Sequence, residues 1–138
     1  IFGGVTMCYR EPINAKRFWV KPGVFSLKTC FELWLGRWAS PMEALFWQEA
    51  NRGLFRRRLP GLVKQYPVSG YYLDFAIPDR KVAIEIDGAE WHTGERAMLD
   101  KIRQQNLEAD GWRVVRFTGR DIYAMPAGCV RYVRSLLD

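Results

Sequence analysis

The chain has 138 residues, 49% hydrophobic and 26% charged, which suits one folded domain and excludes a disordered polymer. Its 21 Lys and Arg against 15 Asp and Glu give a net charge of +6, which points to nucleic acid as partner, with a solvated basic surface as the plainer reading. No run approaches the ~18 apolar residues of a membrane helix, and three separated cysteines without a Cys-x-x-Cys pair argue against disulfides or a cysteine zinc site, so a cytoplasmic setting without membrane contact fits best.

Residues 1–25 are rich in Gly, Pro and aromatic residues and lack a sustained period, with a short strand possible near Phe18. From Ser26, the residues Leu27, Phe31, Trp34, Leu35 and Trp38 recur at helical spacing, and one amphipathic helix with these on its apolar face is expected to about Trp38. Ser40-Pro41-Met42-Glu43 opens a second helix: serine caps, proline is tolerated at the first position, and Glu43 completes a capping box. That helix should stop at Gly53. A strand follows near Val63–Val68, then a hairpin of Tyr71–Ile77 and Lys81–Asp87 turning through Pro78-Asp79-Arg80. Glu95–Asp110 reads as a helix closed by Gly111, Trp112–Phe117 as a valine-rich strand, and Pro126 to about Leu137 as a last helix after a turn at Gly119. Helix, three strands, helix, strand and helix make a mixed sheet between helices, a three-layer α/β/α arrangement. Residues 1–39 (six basic, two acidic) form a basic aromatic extension, and residues 40–138 (fifteen basic, thirteen acidic) form the folded unit.

The near-balance of the larger unit directs attention to its carboxylates. Strict alternation puts Leu73, Phe75 and Ile77 on one face of the first hairpin strand and Asp74 on the other. Glu85 and Asp87 share a face of the second strand, and a turn near Asp79-Arg80 sets Asp74 roughly opposite Glu85. Three acids beside apolar strands repel one another and are costly to bury unpaired. A hard divalent cation relieves this, since Mg²⁺ takes one or two carboxylates and shares its remaining positions with water and phosphate. The alternative is neutralisation by basic side chains such as Lys64 or Lys101. His92, the sole histidine, lies just beyond the acid strand and suits either proton transfer or simple packing. Asp100 has helical ion-pair partners in Arg96 and Arg103, and Glu43 already has its capping role.

Several segments together carry a resemblance: Gly70-Tyr71-Tyr72-Leu73-Asp74-Phe75, Val82-Ala83-Ile84-Glu85-Ile86-Asp87-Gly88, His92, Asp100, and Gly111-Trp112-Arg113-Val114-Val115-Arg116-Phe117. From about Pro41 to Leu137 the chain resembles the very-short-patch-repair (Vsr)-like branch of the PD-(D/E)XK nucleases. It is also similar to phage-type homing endonucleases with a Glu, Asp, His, Asp signature, which Glu43, Asp74, His92 and Asp100 would occupy. The resemblance implies a restriction-endonuclease-like fold and a Mg²⁺-dependent DNA endonuclease, with Mn²⁺ as a possible substitute. Asp74 would bind the metal with help from Glu85 and Asp87, and His92 would move a proton or orient water. Glu43 would reach the site from its helix, and Asp100 would support His92. Arg56, Arg57, Arg58, Lys64, Arg113, Arg116 and Arg120 are the expected DNA contacts. In two respects the chain departs from the pattern: Asp87 stands where the motif has lysine, and the zinc-binding Cys and His residues of the repair enzymes have no counterparts. A catalytically inactive DNA-binding module, or a toxin or interaction domain, is the rival expectation.

Overall fold

The computed structural model describes residues 23–53, 58–87 and 94–138, together with the backbone of two short antiparallel strands, β1 (Cys8–Tyr9) and β2 (Phe18–Trp19). After them come α1 (Leu27–Trp34), α2 (Pro41–Ala50), β3 (Val63–Val68), β4 (Tyr71–Ile77), β5 (Val82–Asp87), α3 (Glu95–Ala109), β6 (Arg113–Thr118), α4 (Gly119–Ala124) and α5 (Pro126–Ser135). The main sheet runs β3-β4-β5-β6: β3, β4 and β5 are antiparallel neighbours, and β6 lies parallel to β5. The parallel step needs a crossover, and α3 supplies it. Helices α2, α4 and α5 cover one face around Leu45, Phe46, Phe75, Ile84, Ile122 and Val133, while α3 covers the other through Leu107. The expected three-layer α/β/α architecture with a mixed sheet is therefore present. Among the described residues, no helix is long and apolar enough to cross a membrane.

Local chemistry explains most boundaries. Ser40 Oγ accepts from the Glu43 N–H at 3.2 Å, the serine half of the expected box, and Pro41 occupies the first turn. The hairpin turn is a 3₁₀ turn over Pro78–Arg80 that ends at Lys81 in a left-handed conformation (φ 50°). Helix α4 arises where only a turn was expected. Thr118 Oγ1 accepts from Asp121 N at 3.1 Å, and Asp121 Oδ2 accepts from Thr118 N at 3.0 Å, a complete capping box that starts a six-residue helix.

Two sequence expectations are corrected. Helix α1 ends at Trp34, and its aromatic stripe points outward: Leu27 is 88% and Trp34 77% exposed, and Phe31 is exposed too. Thr29 and Leu33 face inward instead, and Trp38, past the helix, turns back into the core. There the Trp38 indole packs 5.9 Å from Trp47 and donates its N–H to Glu32 at 3.1 Å. Strict alternation also fails on β4. Phe75 and Ile77 join the α2 side, but Leu73 joins the α3 side with Ala76 and Ala83. The cause lies on β3, where Lys64 pairs with Phe75 and Tyr66 with Leu73, leaving Gln65 opposite Asp74 with φ 50°. A left-handed residue inside a strand shifts the pleat, so Asp74 occupies the point where β4 exchanges faces.

Candidate active site

Backbone pairing between β4 and β5 is registered from Ile77↔Val82 to Phe75↔Ile84, and Asp74 and Glu85 are the next residues along the same register. There side chains take over from the ladder. Asp74 Oδ2 accepts the Ile86 N–H at 2.9 Å, and the carboxyls of Asp74 and Glu85 lie close enough for each to act on the other's protonation. Glu43 reaches the same region from the first turn of α2 and is only 7% exposed. Sheet and helix thus bring Glu43, Asp74 and Glu85 together out of solvent.

Their electrostatics follow from that burial. Glu85 is pushed up to about 8, first by burial and then by the charge of Asp74, with Arg103 pulling the other way. Glu43 is raised to about 7 by burial and by Asp74, against a hydrogen bond from Ser40 and the charge of Lys64. Asp74 is also raised, by burial, although the Ile86 N–H and Arg103 favour its charged form. Two carboxyls raised to about 7 and about 8 beside a third that is also raised suit a site awaiting positive charge.

Part of that charge is already in place. Arg103 Nη2 meets Glu85 Oε1 at 2.7 Å, and Arg116 Nη1 lies 3.4 Å from Asp87 Oδ1. Lys64 places its ammonium 4.3 Å from the ring centroid of Trp38, where its charge acts on Glu43. Asp87 is half-exposed and turned toward Arg116 on β6, and its charge adds to the raising of Asp74. Among the described residues, no group of three or more His, Cys, Asp or Glu is disposed to hold a metal ion. Asp74 and Glu85 do provide two adjoining carboxylates, a donor set of the kind Mg²⁺ accepts.

Asp100 lies on α3 and lines an open depression of about 400 Å³ with Lys101, Gln104, Glu108 and Arg116. Arg103, expected to pair with Asp100, serves Glu85 instead. Among the expected DNA contacts, Arg58 donates to the Gly53 carbonyl at 3.1 Å, and Arg120 is exposed on α4. Arg113 is level with Val82 at the end of β5 away from Glu85 and donates to Leu136 O at 3.4 Å, so among the described members of that set Arg116, level with Glu85, and Lys64, near Glu43, stand by the acids. His92, Arg56 and Arg57 lie outside the described residues. Sequence reasoning missed Arg103 as a site residue, although its spacing from the apolar Leu107, four residues on, marks it as facing the sheet.

A mixed sheet covered by helices, with acids gathered where the β4–β5 ladder ends, defines an α/β domain with an acidic site. The REase_MTES_1575 family model, restriction-endonuclease-like, matches residues 46–137, and the chain belongs to that family. The uncharacterized protein Rv2248 of Mycobacterium tuberculosis is 34% identical over 109 residues, covering 75% of this chain and 39% of that protein. The chain thus spans well under half the length of that relative. The uncharacterized protein YcjD of Escherichia coli is 37% identical over 59 residues, 43% of this chain and 49% of its own length. An uncharacterized Haemophilus influenzae protein is 26% identical over 98 residues, 70% of this chain and 78% of its own length. The catalytic domain of the homing endonuclease I-Bth0305I is similar with a TM-score of 0.46 and 20% identity, over 54% of this chain and 76% of that domain.

Proposed function

We propose that this chain is a Mg²⁺-dependent DNA endonuclease, hydrolysing phosphodiester bonds, of the Vsr-like branch. The observation that carries the reading is the pair of half-buried Asp74 and buried Glu85 where the β4–β5 ladder ends, flanked by Glu43. Membership of a restriction-endonuclease-like family supports it. Asp74 and Glu85 would hold the ion, with Asp87 assisting from the end of β5. The bound ion would neutralise charge on the phosphate and acidify water. This chain's own residues do the rest. Ionising Glu85, raised to about 8, requires release of its proton. Glu43, raised to about 7, exchanges a proton readily near neutral pH. His92 is the proposed residue for proton transfer or water orientation, with Asp100 supporting it or its helix, and Lys64, Arg116, Arg58, Arg120, Arg56 and Arg57 are the proposed phosphate contacts, with Arg113 farther off.

A second reading has its own observation. Arg103 and Arg116 already neutralise Glu85 and Asp87, as they would in a binding module that keeps this fold without the chemistry. Plasmid nicking separates the two. With Mg²⁺ the wild type should convert supercoiled DNA to nicked or linear forms, EDTA should stop it, and Asp74→Ala should lower the rate at least ~100-fold while DNA binding persists. DNA binding without cleavage under any divalent ion would establish the binding module instead.

A further inference from the structure

Resting on that reading, we infer that Arg103 is the positioning residue of the site, holding the two carboxylate-bearing strands in register with each other for the metal. Where the β4–β5 ladder ends, one nitrogen of Arg103 closes the gap. Its Nη2 donates to Tyr72 O at 2.8 Å and to Glu85 Oε1 at 2.7 Å. Tyr72 precedes Asp74 by two residues on β4, and Glu85 lies opposite Asp74 on β5. A single guanidinium therefore ties the backbone carrying one carboxylate to the other carboxylate itself.

The guanidinium is in turn held from outside. Its carbon sits 5.4 Å from the centroid of the Tyr71 ring, whose hydroxyl accepts from Asn106 one turn along α3 at 3.5 Å. The guanidinium thus lies over an aromatic ring while one of its nitrogens makes both hydrogen bonds. It also carries a cost, since Arg103 Nε is buried with no hydrogen-bond partner among the described residues. A stability-driven design would avoid an unsatisfied buried N–H, whereas a position fixed by the needs of the adjoining carboxylates accounts for it. Groups that orient metal-binding carboxylates without touching the ion set its affinity, and losing one weakens binding 10- to 100-fold.

The test is calorimetric titration of the intact protein with Mn²⁺ alone, without DNA. Arg103→Met keeps the stem and removes the fork, and it should weaken Mn²⁺ binding at least tenfold relative to wild type. Arg103→Lys keeps the charge and should fall between the two, which provides a result even if the methionine variant folds poorly. In a Glu85→Gln background, Arg103→Lys should cause no further loss, because its effect acts through Glu85. Wild-type Mn²⁺ affinity in a folded Arg103 variant, or full additivity with Glu85→Gln, overturns the inference alone. Absence of Mn²⁺ binding by the wild type overturns the nuclease reading and this inference with it.

Discussion

Glu43 sits in the first turn of α2, where the helix dipole favours a negative charge by about 0.3–1 kcal/mol. Its carboxyl is nonetheless raised to about 7, so burial beside Asp74 outweighs both the dipole and its capping serine. The sign of the pH effect follows. Glu43 and Glu85 hold protons in the folded chain at pH values where the unfolded chain, titrating near 4.5, has released them. Their contribution to stability is therefore complete below pH 4.5 and is lost as pH rises through about 7 and 8. In EDTA, the chain should be less stable at pH 9 than at pH 5 because these two groups must lose their protons in the folded state. Glu43→Gln should flatten that slope, raising Tm at pH 8.5 and leaving it nearly unchanged at pH 4.5. An unaltered slope in thermal denaturation of the variant would refute the assignment of the raised value to this residue.

Helix α1 shows where sequence periodicity misleads at the level of elements. Its large apolar residues mark a stripe, yet the helix presents that stripe to solvent and buries Thr29 and Leu33 against α2. Leu33→Ala should accordingly cost about 2–5 kcal/mol, whereas Trp34→Ala should stay within ~0.5 kcal/mol, as urea titration would show. The reverse ranking would place the core on the aromatic face. Elsewhere the elements were legible, because hairpin, crossover helix and valine strand each carry their own local signals. Asp74 opposite Glu85 was legible from turn position and register. The face exchange of β4 was not, since it depends on a left-handed glutamine that no pattern of apolar residues announces. Nor was the placement of Asp87, whose neighbour Arg116 comes from a strand thirty residues away by a parallel pairing.

Across the whole molecule, the basic excess and the buried acids act in opposite directions on one substrate, DNA in the proposed reading. Binding without metal should weaken steeply with salt as phosphate contacts release counterions. Added Mg²⁺ should raise Tm, by an amount equivalent to about 2.7 kcal/mol at a hundred times the dissociation constant. A melting curve unmoved by millimolar Mg²⁺ would count against a site at Asp74 and Glu85.

The order in which the chain supplies its charges has a consequence for how it folds. Glu43, Asp74, Glu85 and Asp87 all belong to elements completed by residue 87, whereas Arg103 and Arg116, the partners of two of them, come from α3 and β6. The β3–β4–β5 meander forms from local contacts, while the β5–β6 pairing must wait for a long loop to close. An early meander therefore exposes self-repelling acids, and the docking of α3 both covers its apolar face and delivers the cation that lets its strands settle. Completion of the sheet and neutralisation of its carboxylates thus both depend on elements that follow β5 in the chain.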